Sequence, residues 1–447
     1  MTNLKKIALI LPRSPLYRYK TGAFGLFIRY APLTLPTLLA LIPKNMEIEV
    51  KIYDEGVEKI DKEKIDADLI GITAITGTSK RAYLYADYFR SKNIPVVIGG
   101  VHATLLPEEA SQHADSVVTG IATETWPQLL RDFKKGKMKK LYQEPEKVNY
   151  SNWPSPNRKC YNNKKAHFIS VNSVQATYGC PNRCEFCVTP YSCNGYHQRP
   201  VEDVINEIKK VKSKYIVFVD PSPIENKEYA KKLYSAMIPL KKKWVSPSTI
   251  RMAEDEELLD IATKSGCKGL LIGFESVTDK TLLSISKGFN SLDKFYKAVN
   301  QFHDKGIAIM GCFVFGLDSD DKGVFKRTVD FINKTNIDLP RFTVSTPFPG
   351  TPFHKRMKEE GRIVEKDWLL YDCQHVVIKP KKMSEQELQD GLNWAWKETY
   401  KFRSITKRIL GSRCFLEMVP FASLTYRKYG RSVKKFTKTI MEETERI

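Results

Sequence analysis

The sequence predicts an α/β protein with two sheet-bearing units followed by a helical extension, and three observations predict it. Short apolar runs alternate with helical periods twice along the chain, over about the first 135 residues and again from about residue 166. A stretch rich in Lys, Asn and Pro separates the two series and has neither the helical nor the strand period. From Trp368 onward the period is helical. No short repeat or low-complexity tract interrupts this order.

In the first unit, residues 1–135, strands fall at Lys6–Leu11, Glu47–Tyr53, Leu69–Ala74, Val96–Gly99 and Ser116–Thr119. Helical periods lie between them near Leu33–Leu41, Lys80–Arg90, Pro107–Gln112 and Thr125–Phe133. Such alternation makes an open doubly wound parallel sheet, which receives ligands at its strand C-termini. Residues 136–165, with Asn152-Trp153-Pro154-Ser155-Pro156-Asn157, form the linker. The second unit, 166–365, has strands near Phe168–Ala176, Tyr215–Asp220, Trp244–Ile250, Gly269–Glu275, Ile307–Phe315 and Arg341–Thr346. Helices near Val201–Val211, Lys227–Met237, Asp255–Lys264, Leu292–Lys305 and Val324–Asn333 separate them. Six βα repeats are too few for a closed eight-stranded barrel and suffice for an open (β/α)6 one. The extension, 366–447, is basic, its last 47 residues carrying twelve Lys or Arg against four Glu.

With 447 residues, 42% of them hydrophobic, each unit can bury its own core. No run of about 18 apolar residues occurs, and Met1–Pro12 is too short for a signal peptide with its cleavage site, so a cytoplasmic protein is expected. Nine irregularly spaced cysteines argue for reduced thiols and a metal site rather than a disulfide framework. The formal charge of +21 admits nucleic acid, an anionic membrane surface, or a solvated lysine-rich background.

The decisive segment is Ala176-Thr177-Tyr178-Gly179-Cys180-Pro181-Asn182-Arg183-Cys184-Glu185-Phe186-Cys187, on the loop after the first strand of the second series. Short spacings let consecutive thiolates reach different irons of a cubane. Three protein ligands leave one iron open for a substrate or cofactor. Chance yields this spacing about 0.004 times per chain of this composition. A zinc site is the rival, with Cys193 and His197 as candidate fourth ligands. Cys160, Cys267, Cys312, Cys373 and Cys414 are scattered and are taken as core or neutral positions.

A C-x3-C-x2-C triplet with an aromatic, Phe186, before its last cysteine, on the first loop of an open barrel, resembles the signature of the radical S-adenosylmethionine (SAM) superfamily. The resemblance covers essentially the whole chain and implies a Rossmann-like cobalamin-binding-type domain, a radical SAM partial TIM barrel and the C-terminal extension. It implies a [4Fe–4S] cluster on Cys180, Cys184 and Cys187, with SAM chelating the open iron and yielding a 5′-deoxyadenosyl radical. It further implies that Asp220 accepts from SAM's amino group and Arg251 pairs its carboxylate. Glu275 and Ser276 would contact the ribose, and Gly311 and Gly316 would flank the segment over which the adenine lies. Thr346-Pro347-Phe348-Pro349-Gly350-Thr351-Pro352 is rigid and shapes the substrate end.

The first unit resembles the cobalamin-binding domain that precedes many such barrels, through Asp68–Ala74, Val97–Thr104 and Val117–Gly120, where Gly99 and Gly100 would admit a nucleotide tail. The usual Asp-x-His-x-x-Gly is replaced by Tyr53-Asp54-Glu55-Gly56-Val57. Cobalamin would then bind without a lower protein ligand, or the domain only braces the barrel; His102 is expected to be a loop residue rather than a ligand. The extension resembles that of proteins related to hopanoid methylases and the anaerobic Mg-protoporphyrin ester cyclase, which act on large hydrophobic molecules.

These resemblances imply cobalamin-dependent C-methylation of an unactivated carbon in a lipid or tetrapyrrole-like substrate. Oxidation, cyclisation or C–C coupling without methyl transfer is the alternative, and RNA modification a third, motivated by the charge. A non-catalytic iron–sulfur or zinc protein is the remaining possibility. Nucleic acid is disfavoured, because the first unit lacks the cysteine triplet of tRNA methylthiotransferases and no RNA-binding module follows the barrel. An external reductant of flavodoxin or ferredoxin type is implied. The basic amphipathic stretch Thr399–Leu410 admits peripheral membrane contact or packing on the barrel.

Overall fold

The computed structural model describes residues 4–13, 32–56, 58–145, 153–161, 172–284 and 291–447, without the side chains of 284 and 433–440. The first sheet contains β1 (Lys6–Leu11), β2 (Glu49–Asp54), β3 (Leu69–Thr73), β4 (Val96–Gly99), β5 (Ser116–Val118) and β6 (Leu141–Tyr142). They run parallel in the order β2-β1-β3-β4-β5-β6. Alternate residues of one strand enter different cores. Ala8 and Ile10 pack with Ala82, Ala86 and Phe89 of the helix Ser79–Ser91, whereas Ile7 and Leu9 pack with Trp126, Leu129 and Phe133 of the helix Ala122–Lys134. Helices on both faces make the sheet doubly wound, as the alternation predicts.

Sequence reasoning missed β6, which lies in the presumed linker. Two residues are too short to show a period, and only pairing of Val117 with Leu141 and Val118 with Tyr142 makes them a strand. Further along, Asn157 donates to the Pro36 carbonyl at 2.9 Å and the Tyr161 hydroxyl to that of Pro32 at 3.2 Å, so this stretch is docked on the first unit. Arg158 reaches the other way, to the buried Glu207 and the Ser173 carbonyl.

The second sheet has β7 (Ser173–Val174), β10 (Tyr215–Phe218), β11 (Lys243–Ser248), β12 (Cys267–Glu275), β13 (Ala308–Phe315) and β14 (Arg341–Val344), and a separate antiparallel pair joins β8 (Thr177–Tyr178) to β9 (His197–Gln198). The parallel order β14-β13-β12-β11-β10-β7 places the first and last strands at opposite edges, the open six-stranded barrel that six βα repeats predict. Residues 168–171 of the expected first strand lie outside the described residues. Along β13, Ile309, Phe313 and Phe315 enter the core shared with the helices, while Met310, Cys312 and Val314 are half-buried on the inner face.

The extension is packed rather than free. Leu388, Leu392, Ala395 and Trp396 of the helix Glu385–Thr399 belong to the barrel core. The closing helix Val419–Thr444 begins against Ala308 and Leu339 near the strand N-termini and passes Trp396 at Gly430. At its far end the Thr444 hydroxyl accepts from Arg81 at 2.6 Å and Ile447 packs on the first unit's core, so one helix straps the two units together. No helix among the described residues is long and apolar enough to cross a membrane.

Candidate functional site

The cysteine loop leaves β8 at the C-terminal end of the barrel, and its entry is built tightly. Gly179 is at φ +75°, where a methyl group would lie 1.8 Å from the Gly195 carbonyl oxygen, so only glycine fits. Cys184 is buried, and Cys180 and Cys187 are half-buried. The Cys187 amide donates to the Cys184 carbonyl at 3.1 Å, and the Asn182 amide approaches the Cys180 sulfur at 3.6 Å.

Asp220, at the end of β10, is fully buried. Its Oδ1 accepts from the Ala176 amide at 2.9 Å, from the Thr177 hydroxyl at 2.7 Å and from the Thr177 amide, tying down the strand that leads into the loop. Its Oδ2 is buried without a partner among the described residues. Burial pushes the carboxyl up to about 6, against those hydrogen bonds, which favour the anion. An unfinished buried carboxylate oxygen is a vacancy for a donor.

Glu225, which sequence reasoning missed, lies between the loop and Arg251. Its Oε1 accepts from Asn182 at 2.9 Å and from the Ser222 hydroxyl at 2.7 Å, and Arg251 Nη1 stands 3.4 Å from Oε2. The only signal available was its place on the loop after β10, where barrel ligands sit. A cavity of about 450 Å³ opens beside it, lined by Pro181, Tyr196, His197, Gln198, Glu225 and Asn226.

Glu275 ends β12 at φ +63°, just after a register shift between Gly273 and Glu275. A bulge there re-aims the side chain. Ser276 is buried and accepts from the Thr278 amide at 3.2 Å. Gly311 is a packing glycine: a methyl group there would meet Ile337 at 3.0 Å and Phe274 and Phe313 at 3.2 Å, all on the helix-facing side of β13. At Gly316, φ +85°, Leu388 of the extension would be 2.5 Å from the added carbon. The space these glycines leave is thus filled by the chain itself, and the inner face of β13 is presented by Met310, Cys312 and Val314. Phe186 packs partly against the cluster of Phe353, Met357 and Tyr371.

In the first unit, Gly99 and Gly100 end β4 and open the next helix. A methyl group on Gly99 would lie 3.3 Å from the Val118 carbonyl, and on Gly100, at φ +95°, 2.7 Å from the Ala74 carbonyl and the Thr73 hydroxyl. These glycines serve contacts within the sheet. His102 is buried, its Nδ1 3.3 Å from Thr76 Oγ1 and its Nε2 3.0 Å from Glu109, with its ring edge-on to Trp368. In the segment that replaces the usual Asp-x-His-x-x-Gly, Glu55 pairs with the buried Arg81 and accepts from Tyr85 at 3.0 Å. Val57 lies outside the described residues.

Residues 174–332 match the family model described as "Radical SAM superfamily". The chain is 31% identical over 441 residues to bacteriochlorophyllide d C-12(1)-methyltransferase of Chlorobaculum tepidum, covering 96% of this chain and 94% of that protein. The chain belongs to the radical SAM superfamily. It is 29% identical to the C-8(2)-methyltransferase of the same organism, over 89% of this chain and 91% of the relative. The solved structure of the cobalamin-dependent SAM radical enzyme OxsB superposes with a TM-score of 0.67 at 15% identity, over 99% of this chain and 80% of that one. The fold of this radical SAM enzyme, extension included, is therefore shared end to end.

Membership makes the chain an enzyme that uses a [4Fe–4S] cluster and SAM. The donor chemistry fits both. Three cysteine thiols on one loop are the soft ligands a cubane takes, and no three His, Cys, Asp or Glu among the described residues converge as for a single ion. A cubane does not ask for that convergence, since each thiolate binds a separate iron. For SAM, Asp220 Oδ2 offers an unpartnered acceptor and Arg251 a half-exposed guanidinium. The other cysteines suit a cluster less: burial pushes Cys373 and Cys414 up to about 12, and Cys267 higher still.

Proposed function

We propose that Cys180, Cys184 and Cys187 hold the cluster and that the enzyme methylates an unactivated carbon of a hydrophobic, tetrapyrrole-like substrate with the help of cobalamin. The near full-length likeness to a bacteriochlorophyllide methyltransferase carries the reaction and substrate class. When bound, the cluster and SAM supply an electron and a carbon-centred radical, and cobalamin supplies the methyl group. The chain's own part is positional. Asp220 Oδ2 receives SAM's ammonium, Arg251 its carboxylate, and Glu275 and Ser276 face the ribose. Gly99 and Gly100 keep the turn after β4 close to the sheet, where a bound cobalamin would meet backbone rather than side chains. His102, engaged by Thr76 and Glu109, would not serve as a lower ligand to a bound cobalamin. Cys312 and its neighbours on the inner face of β13 border the adenine.

The substrate is a small molecule and the electron comes from an external reductant, of flavodoxin or ferredoxin type. Delivery of a poorly soluble substrate is favoured by the helix Phe402–Ser412, whose outer face exposes Phe402 and Leu410 between Lys401, Arg403 and Lys407. Such a face rests on an anionic membrane surface.

The test is anaerobic reconstitution with iron, sulfide and cobalamin, then SAM, dithionite and a chlorophyllide-type tetrapyrrole. Expected are 5′-deoxyadenosine and a product heavier by one methylene. Deoxyadenosine with an oxidised or cyclised product of unchanged carbon count would replace methylation by the alternative chemistry; a well-formed cluster that cleaves no SAM would overturn the site.

A further inference from the structure

The rigid segment after β14 does something the substrate-end expectation does not cover. Thr351 caps the helix Pro352–Glu359, accepting from the His354 amide at 3.1 Å and donating to the Phe348 carbonyl at 2.6 Å, while Gly350 turns the chain at φ +74°. The helix so aimed meets the cysteine loop. The Phe353 amide donates to the Glu185 carbonyl at 3.0 Å, and Arg356 Nη2 donates to the Glu185 carboxylate at 2.9 Å. Phe186, the next residue, packs against Phe353 and Met357.

Arg356 is itself held. Its Nη1 lies 2.6 Å from Asp318, in the loop after β13, and its guanidinium sits 5.3 Å above the Phe353 ring. Asp318 in turn meets Arg362 at 2.9 Å and Lys381 at 3.1 Å. Burial opposes the anion there, but hydrogen bonds from Arg362, Lys381 and Arg356 outweigh it and hold the carboxyl below its ordinary range.

The barrel is open between β7 and β14, which share no hydrogen bonds because they are opposite edges of the sheet. The cysteine loop belongs to the β7 edge and the capped helix to the β14 edge. We infer that Arg356 is a positioning residue: through Glu185, which directly follows the second cysteine, it clamps the cysteine loop from across the open edge and sets the geometry in which the cluster meets SAM. The inference rests on the cluster site proposed above. Groups that orient metal ligands from outside the ligand sphere typically change affinity or activity by about 10- to 100-fold.

The test compares wild type with Arg356→Met, Glu185→Gln and the exchanged pair Glu185→Arg/Arg356→Glu, all reconstituted as full chains. The readouts are iron and sulfide per chain, thermal unfolding, the electron paramagnetic resonance signal of the reduced cluster with and without SAM, and SAM affinity. Arg356→Met should keep its unfolding temperature yet bind SAM about tenfold more weakly, with an altered reduced-cluster signal. Glu185→Gln should move the same readouts less, since the Phe353 contact survives, and the exchanged pair should not recover the loss, because a carboxylate at position 356 would face Asp318. Arg356→Met with SAM affinity within about twofold of wild type and an unchanged signal overturns the clamp. Should Arg356→Met not fold, Glu185→Gln decides on the same readouts. If SAM leaves the wild-type signal untouched, the site reading fails instead; the clamp then stands or falls on whether the variant alters the reduced-cluster signal.

Discussion

The mouths of the two sheets are made of similar parts and finished differently. Both gather glycines, carboxylates and a histidine at the C-terminal ends of parallel strands. In the first sheet His102 is taken up by Thr76 and Glu109, Glu55 by Arg81 and Tyr85, and Gly100 by the strand end at Thr73 and Ala74. In the barrel, Asp220 keeps a buried oxygen without a partner among the described residues, and three cysteine thiols share one loop. A buried polar group left unmatched costs about 1–3 kcal/mol, and is retained where a ligand completes it. The difference teaches that side-chain ligation is concentrated at the barrel mouth, whereas the first sheet offers a ligand shape and backbone.

The largest effect should come from breaking the barrel mouth. Cys184→Ala should abolish both cluster iron and SAM cleavage, while Cys193→Ala, whose thiol burial pushes up, should keep both. Iron analysis and deoxyadenosine release check this; an equal loss from both variants would return Cys193 to the ligand set.

Next is the first unit, where the same kind of substitution should cost stability rather than chemistry. Arg81→Met leaves the buried Glu55 with hydrogen bonds from Tyr85 and the Arg13 amide but no counter-charge, and removes the contact to Thr444. A cost of about 3–5 kcal/mol is expected, with faster hydrogen exchange along Val419–Thr444. Denaturant unfolding with peptide-resolved exchange measures both. Unchanged protection of that helix would mean that the strap is held elsewhere.

A milder probe is pH. Burial places the folded-state Asp220 at about 6, above the 3.8 of an ordinary aspartate. The folded chain therefore holds that proton more tightly between the two values, and the group's stabilising contribution, complete below about pH 4, is lost as pH rises through about 6. SAM binding has the opposite sign, because its ammonium favours the anion. Affinity should drop about tenfold for each pH unit below 6 and level off above it, and Asp220→Asn should flatten the profile. Calorimetric titration of SAM on either side of pH 6 reads this, and an identical slope in the variant would place the ammonium elsewhere.

How much of this was legible follows from where each signal resides. Five strands of the first series, six of the second and most of their helices were readable from apolar runs, because a parallel sheet packed against helices makes such runs unavoidable. β6 was not, since two residues carry no period. The triplet Cys180, Cys184 and Cys187 stood out because its spacing is local in the chain. Arg356 was not, because its partner Glu185 is 171 residues away and only the closing of the barrel edge brings them together. The packing role of Gly311 was not legible for a related reason: a missing side chain makes room on whichever face the strand turns it to, and that face is the helical one, against Ile337.

The smallest effect on the fold should come from the outer face of the helix Phe402–Ser412. Phe402 is 61% exposed and Leu410 63%, against 5% for Ile405 on the inner side. Aspartate at both outer positions removes no core contact and exchanges the Arg427 guanidinium stacked 4.0 Å over the Phe402 ring for a charge pair, so stability should change by no more than about 1 kcal/mol, whereas the same change at Ile405 would unfold the helix from the barrel. If the outer face rests on lipid, the double variant should lose co-sedimentation with anionic vesicles while wild type retains it, and added salt should weaken the wild-type interaction through Lys401, Arg403 and Lys407. Equal sedimentation of the two proteins would assign the exposed pair no membrane role, and would leave the hydrophobic substrate to reach the barrel mouth from solution or from a carrier.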